Sequence, residues 1–163
     1  MCSSDLMFKS VIKELLPQKK LPKKFEVITY NDAIQKYGTD KPDIRKDKND
    51  PDELAFCWVV DFPVFEKTPE GHITFAHNPF AKPLDEDMHL LDSQNSEDLL
   101  KMRAHCYDLV LNGVEISSGS LRINDPEMQK SIFQRFGMSD DEVEERFGEF
   151  LAAFKYEIGR AHV

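Results

Sequence analysis

The sequence contains few cysteines and no long hydrophobic run, and both absences restrict the kind of protein it can be. The three cysteines, Cys2, Cys57 and Cys106, show no spacing typical of a metal site. Cys57 and Cys106 fall in predicted strands, where we expect buried thiols in a reducing compartment. No apolar run approaches the ~20 residues of a membrane helix, and no signal peptide is evident at the start. We therefore expect a cytoplasmic protein without a membrane partner.

Basic charge is also scarce. The 163 residues include 30 Asp and Glu against 21 Lys and Arg, and the net charge of −9 argues against a surface that binds nucleic acid as a whole. Eleven of the basic residues lie between Lys9 and Lys48, and residues 18–24 form the densest group. This group is either a local patch that contacts a phosphate backbone or a solvated linker.

The two ends of the sequence are typical of translated sequencing adapters. Residues 157–163 back-translate as GAG ATC GGA AGA GCA CAC GTC, and residues 1–6 back-translate to a stretch containing the reverse complement of that read. Two unrelated natural termini would not encode complementary strands. We therefore expect residues 7–156 to be part of a domain from a longer reading frame, flanked by adapter-derived residues that carry no function.

The most informative stretch is residues 107–123. Asn112-Gly113, between alternating apolar segments, predicts a two-residue hairpin turn. With this turn, Asp108 and Glu115 project from one face of the hairpin as a diagonal pair. The opposite face is predicted to be filled by apolar side chains: Tyr107, Leu109, Leu111, Val114 and Ile116.

Two carboxylates on one open sheet face repel each other unless a cation lies between them. Hard oxygen ligands suit Mg²⁺, which keeps several waters and also binds substrate phosphates. Arg122 follows on the same arm, and a β-bulge at residues 117–119 would turn it to the face of Asp108 and Glu115. Its guanidinium offers a planar fork for a carboxylate or a phosphate. From spacing alone, the alternative is a solvated face with unrelated charges.

The remaining pattern predicts an α+β fold, with an antiparallel sheet flanked by helices. Asn31, Asp125 and Ser139 are predicted helix N-caps. Helices are predicted at residues 8–16, 32–37, 126–136 and 140–154, with two short helical turns within 85–103; strands are predicted at 56–62, paired with 73–76, and in the hairpin 105–123.

Several motifs, in order along the chain, resemble bacterial-type aspartyl-tRNA synthetase. They are Tyr37–Arg45, Trp58–Phe65, His77–Phe80, Asp108–Arg122 and Phe147–Tyr156. The resemblance covers residues 7–156. It implies a partial catalytic domain of a class II synthetase, built on an antiparallel sheet. The usual bacterial insertion domain, expected between the first two motifs, is absent from the sequence.

This resemblance implies an enzyme that ligates L-aspartate to tRNA through an aspartyl-adenylate, with ATP as substrate and Mg²⁺ as cofactor. Asp108 and Glu115 would bind Mg²⁺ and the ATP phosphates, and Ser118 would assist at the metal. Arg122 would bind the side-chain carboxylate of aspartate, and His77 would line the same pocket. Glu115 and Arg122 are the implied catalytic residues. The parent enzyme is expected to be a homodimer.

The sequence also departs from the family pattern. The ATP-binding arginines of motifs 2 and 3 lie outside it, so we expect the isolated chain to be inactive. The common His-His-Pro-Phe appears as His77-Asn78-Pro79-Phe80, which leaves the role of the second position open. The loop from Asp40 to Arg45 either contacts the tRNA acceptor end or only pins itself.

Alternative functions on the same fold are asparaginyl-tRNA synthetase and aspartate–ammonia ligase. A non-catalytic module that binds aspartate or Mg²⁺ is an alternative of another class. The Arg122 environment and the Asp-Lys-Pro-Asp loop favour the aspartyl enzyme. Whether tRNA for asparagine is a partner besides tRNA for aspartate stays open.

Overall fold

The computed structural model describes residues 3–93 and 95–154. Within them the chain forms two compact units. The first comprises the chain up to Phe62 together with Cys106–Gly119, and the second comprises Pro63–His105 together with the chain from Ser120 onward. The predicted adapter-derived residues 1, 2 and 157–163 lie outside the described residues, whereas residues 3–6 begin the first helix.

The helices and strands of the structure fit the predicted α+β class. The helices are α1 (Ser3–Leu15), α2 (Tyr30–Tyr37), α3 (Ser96–Leu99), α4 (Pro126–Arg135) and α5 (Asp140–Ala153), with a 3₁₀ helix at Asp85–Leu90. The strands are β1 (Glu26–Thr29), β2 (Phe56–Pro63), β3 (Phe65–Lys67), β4 (Ile73–Phe75), β5 (Arg103–Leu111) and β6 (Val114–Ser120).

The first unit is built on a four-stranded sheet in the order β1-β2-β5-β6. Strands β1 and β2 run parallel, from Glu26 opposite Cys57 to Thr29 opposite Val60, so the sheet includes one parallel pair that was not predicted. A parallel pair needs a long crossover connection, and α2 with the loop that follows it supplies one.

The core of the first unit contains Phe25, Phe56 and Leu109. The rings of Phe25 and Phe56 stack with their centroids 4.5 Å apart. Cys57 and Cys106 are buried as predicted, and burial raises the pKa of the Cys57 thiol to about 12. A thiol with such a pKa stays protonated and behaves as a small apolar side chain.

One face of the hairpin differs from the prediction. Leu109 is fully buried, but Tyr107, Val114 and Ile116 are exposed rather than filling a core. Strand β6 lies at the edge of the strand order, so its apolar side chains have a neighbouring strand on one side only in the described part of the chain.

In the second unit β3 and β4 form an antiparallel pair, with Phe65 opposite Phe75. The prediction that residues 73–76 pair with 56–62 is therefore wrong. Pro63 and the bend that follows it separate β2 from β3, and β3 takes the place of partner. Helices α4 and α5 pack through the rings of Phe133 and Phe147, which stack 4.3 Å apart.

Helix caps agree closely with the prediction. The Asp125 carboxylate caps α4 by accepting from the Glu127 and Met128 amides, and Pro126 is the first residue of that helix. Ser139 and Glu142 form the predicted capping box of α5. Helix α2 is capped by Thr29 rather than by Asn31, and Gly38 ends it in the left-handed conformation. The Asn31 prediction is wrong, because helix α2 begins two residues earlier than predicted, at Tyr30. The Thr29 hydroxyl caps it by accepting from the Asp32 amide.

Candidate functional site

The hairpin that carries the predicted carboxylates turns at Asn112-Gly113, as predicted. Both residues have positive φ, 50° and 86°, which is the backbone of a type I′ turn. The Asn112 carboxamide also donates to the Glu53 carbonyl and accepts from the Ala55 amide, each at 2.9 Å. The turn is therefore attached to the segment that enters β2, and this fixes the position of the hairpin in the sheet.

Glu115 pairs with a cation of the chain itself, Lys41. The Lys41 ammonium lies 3.1 Å from Glu115 Oε2. The hydrogen bond to Glu115 and the charge of Glu115 raise the pKa of Lys41, and the charges of Asp40 and Asp108 add to the rise. Asp108 is only 6% exposed, so it does not lie on an open face as predicted. That Asp108 and Glu115 project together as a diagonal pair stays a prediction.

Sequence reasoning missed Lys41 as a site residue. The contact joins residues distant along the chain, and spacing within one element carries no signal for it. The weak signal that was available is the Asp-Lys-Pro-Asp motif itself, whose role the sequence left open.

The loop that carries Lys41 is fixed by its own side chains. The Arg45 guanidinium binds the Asp43 carboxylate through Nε at 3.0 Å and Nη2 at 2.7 Å, and the Lys41 amide donates to the Thr39 hydroxyl at 3.1 Å. This bidentate pair lowers the pKa of Asp43 and raises that of Arg45. The geometry favours loop pinning as the role of Arg45.

A one-residue shift interrupts the hairpin register near Ser118. Counted back from the turn, Gly119 would lie opposite Cys106 and point away from Tyr107. Instead, a Cβ atom at Gly119 would lie 2.5 Å from the Tyr107 hydroxyl oxygen, so Gly119 is on the face of Tyr107. In the second unit the Leu121 amide likewise donates to the His105 carbonyl at 2.9 Å, where the turn would have paired His105 with Ser120.

An extra residue on one strand of an antiparallel pair is a β-bulge, and its position agrees with the predicted bulge at residues 117–119. In the shifted register Ser118 lies opposite Asp108, on the same face, and its side chain is exposed. The prediction that Ser118 assists at a metal stays a prediction.

In the second unit, the loop of His77 lies beside Arg122. Ala81 and Arg122 form an antiparallel bridge, and the Ile123 amide donates to the Phe80 carbonyl at 2.9 Å. Arg122 Nη1 donates to Asn78 Oδ1 at 2.9 Å. His77 and Arg122 are both exposed. The structure thus places the segment that follows His77 beside Arg122, and it adds Asn78, which the sequence left without a role.

The oxygen donors of the hairpin fit the predicted metal. Asp108, Glu115 and Ser118 offer two carboxylates and a hydroxyl, which are hard oxygen ligands that fit Mg²⁺. Over residues 3–93 and 95–154, no group of three or more His, Cys, Asp or Glu side chains could hold a metal ion. Mg²⁺ does not need such a cage, because it is commonly bound by one or two carboxylates with waters and substrate phosphates.

The sequence model of the family described as tRNA synthetases class II (D, K and N) matches residues 1–161, and the chain belongs to this family. None of the described helices is long and apolar enough to cross a membrane.

The chain is similar to proteins named as aspartate–tRNA ligases. The chain is 47% identical over 108 residues to "Aspartate--tRNA(Asp/Asn) ligase" of Rubrobacter xylanophilus, which is 66% of this chain and 17% of that protein. It is 48% identical over 105 residues to the Acidobacterium capsulatum protein of the same name, with 64% and 17% covered. It is 42% identical over 110 residues to "Aspartate--tRNA ligase" of Lysinibacillus sphaericus, with 67% and 18% covered. The chain spans about a sixth of the length of these relatives.

Among solved structures, "Aspartyl tRNA synthetase from Entamoeba histolytica" shares the fold. The TM-score is 0.52 at 18% sequence identity, and the match covers 92% of this chain and 32% of that one. At this identity the likeness concerns the fold alone.

Proposed function

We propose that the chain is part of the catalytic domain of an aspartate–tRNA ligase. The enzyme would join L-aspartate to ATP, release pyrophosphate and transfer the aspartyl group to tRNA. The observation that carries the proposal is the bulged hairpin of Asp108 and Glu115, with Lys41 3.1 Å from Glu115, in a chain whose relatives are named for this reaction. The family also contains synthetases for lysine and asparagine, so the amino acid must be argued from Arg122.

Charge explains why a ligase of this kind needs both acids and a guanidinium. The aspartate carboxylates and the ATP phosphates are anionic and repel one another. In the proposal, Asp108, Glu115 and Ser118 hold Mg²⁺, which when bound neutralises phosphate charge. The protein's own part is to hold the substrates in line and to present fixed charges to them, which is the main source of rate in such a transfer.

Arg122 supports aspartate over asparagine. A guanidinium binds a carboxylate through two parallel N–H···O bonds. The asparagine amide would direct N–H donors at guanidinium N–H donors and leave them unpaired, and unpaired polar groups are what make such selectivity large. His77, in the loop that pairs with the Arg122 segment, would line the same pocket.

Further parts of the proposal rest on the family alone. The partners would be L-aspartate, ATP and tRNA. Some relatives are named for tRNA of both aspartate and asparagine and others only as aspartate–tRNA ligases, so tRNA for asparagine stays open as an additional partner. The parent enzyme would be a cytoplasmic homodimer.

The test is ATP–pyrophosphate exchange by a full-length ligase that carries this segment. We expect Arg122→Ala to raise the KM for aspartate by roughly 100-fold or more, because a charge-assisted bidentate pair is lost, with little change in the KM for ATP. Arg146→Ala, which removes an exposed arginine of α5, is the matched control and should behave as wild type. Unchanged dependence on aspartate concentration in Arg122→Ala would refute the proposed site.

A further inference from the structure

One buried polar side chain of the second unit, Gln129, has no role in the proposed function so far. It lies in the first turn of α4 and is fully buried. Its Nε2 donates to the Pro79 carbonyl at 2.7 Å. Because the partner is a carbonyl, the carboxamide nitrogen, not its oxygen, must face it. A side chain of α4 thus holds the backbone of the loop that runs from His77 to Phe80.

The other half of this carboxamide is unsatisfied. Within the described part of the chain, Gln129 Oε1 is buried and has no hydrogen-bond partner. Leaving a buried acceptor unpaired costs at least as much free energy as one hydrogen bond contributes. An apolar side chain of similar shape would avoid that cost. Stability alone therefore does not explain a glutamine at this position.

The contact ties the loop to the chain segment that carries Arg122. The Ile123 amide donates to the Phe80 carbonyl at 2.9 Å. Helix α4 follows this segment directly, and its Gln129 binds the carbonyl one residue earlier. The Phe80 ring packs edge-on against Phe133, with centroids 6.2 Å apart, and Phe133 lies one turn after Gln129 on the same face of α4. Two consecutive residues of the loop are therefore held by one helix face.

The supported loop carries residues of the proposed aspartate pocket. His77 and Asn78 directly precede Pro79, and Asn78 Oδ1 accepts from Arg122 Nη1 at 2.9 Å. Side chains that bind a substrate must be held within about 0.5 Å of their productive positions by the residues behind them. The contacts with the ATP phosphates are proposed on the β5–β6 hairpin instead. Loss of the Pro79 contact should therefore affect the amino acid more than ATP.

We propose that Gln129 is a positioning residue for the amino-acid substrate, which holds the loop from His77 to Phe80 through the Pro79 carbonyl. Because Gln129 is fully buried, it acts through the loop and does not touch the substrate. This inference rests on the proposed function, in which His77 and Arg122 bind aspartate.

The first experiment is Gln129→Met in a full-length ligase that carries this segment. Methionine is unbranched and of similar length, and it removes the donor to Pro79 and the unpaired oxygen together. We expect the KM for aspartate to rise roughly 10-fold, which corresponds to the loss of about one hydrogen bond. We expect kcat and the KM for ATP to stay within about twofold, and the melting temperature within about 3 °C of wild type.

Gln129→Glu supplies a pH-dependent version of the same contact. A protonated carboxylic acid can donate to the Pro79 carbonyl, whereas a carboxylate can only accept. Burial raises the pKa of a glutamate, so the donating form is present at low pH and is lost as the pH rises through that pKa. We expect the KM for aspartate of Gln129→Glu, relative to wild type, to be lower than that of Gln129→Met at about pH 6.

The comparison of KM with stability separates positioning from structural support. If Gln129 supported only the fold, Gln129→Met would lower the melting temperature or kcat without a selective change for aspartate. That result, or an unchanged KM for aspartate, would overturn the inference. If Gln129→Met failed to fold, Gln129→Glu would decide, because a KM for aspartate equal to that of wild type from about pH 6 to about pH 9, with the side chain ionised at the upper end, would exclude the role.

Two further variants complete the design. Gln134→Met is the matched control, because Gln134 lies on the same helix and its Nε2 donates to the Asp140 carboxylate at the surface; its KM for aspartate should not change. Arg122→Ala in the same assay distinguishes the two levels of the proposal. A normal aspartate dependence in Arg122→Ala refutes the proposed function, whereas a strong effect there with none at Gln129 refutes only the positioning role.

Discussion

Lys41 is the residue whose position changes the interpretation of the carboxylate pair. Its ammonium lies beside Glu115, one of the two carboxylates proposed to hold a divalent cation, and the charge of Asp108 also acts on it. Both partners are partly exposed, so the ion pair contributes little to stability. Its main consequence is electrostatic, because a resident cation lowers the negative potential available to an incoming one.

At this scale we predict that Lys41→Met tightens Mg²⁺ binding by the 163-residue chain. Removing one nearby positive charge should lower the dissociation constant roughly fivefold at low ionic strength, as measured by titration with Mg²⁺ or by the electron paramagnetic resonance signal of Mn²⁺. Lys36→Met is a matched control in the same unit, since the Lys36 ammonium lies over the Tyr37 ring and should leave binding unchanged. Weaker binding in Lys41→Met would contradict the prediction.

Among the elements, the β5–β6 hairpin depends on the absence of a side chain at Gly119. A Cβ there would lie within 2.5 to 2.8 Å of the hydroxyl and ring of Tyr107, closer than atoms can approach without movement. The Tyr107 ring therefore occupies the space that a side chain at position 119 would take, and glycine at this position leaves room for it.

We predict that Gly119→Ala destabilises the chain by about 1 kcal/mol, because the added methyl group must displace the ring of Tyr107, which is partly exposed and can move. Urea unfolding would measure it. The same substitution in a Tyr107→Ala background should cost much less, because the ring that clashes is gone. An equal cost in both backgrounds would show that the destabilisation has another source.

Local chemistry made several elements predictable. The Asn112-Gly113 turn, the Asp125 cap with Pro126 and the Ser139–Glu142 capping box each depend on residues close in sequence, and all three were found. The pairing of β4 with β3 was not predicted, because choosing between two short neighbouring strands depends on the bend at Pro63. The Lys41 contact was missed because it joins two segments that lie far apart along the chain.

For the molecule as a whole, a large part of the relatives has no counterpart in this chain. It spans about a sixth of their length. The candidate site residues were predicted by resemblance and stay predictions, whereas the contact of Asn78 with Arg122 needed the structure, because it depends on the pairing of two distant segments.

We therefore predict that the 163-residue chain alone does not form aspartyl-adenylate. ATP–pyrophosphate exchange with the purified chain should stay at the background rate, because most of the charge that neutralises the phosphates would be missing. Circular dichroism before the assay would show that the chain is folded. Exchange above background that depends on aspartate would contradict this expectation.

The exposed apolar side chains of β6 have a practical consequence for work on the isolated chain. Val114 and Ile116 face solvent on a strand that, in the described sheet, has a neighbour on one side only. Such an edge invites hydrogen bonding by a second copy and favours fibrous or amorphous precipitates during concentration. A charged side chain in place of Val114, as natural edge strands often carry, would serve as a gatekeeper during purification.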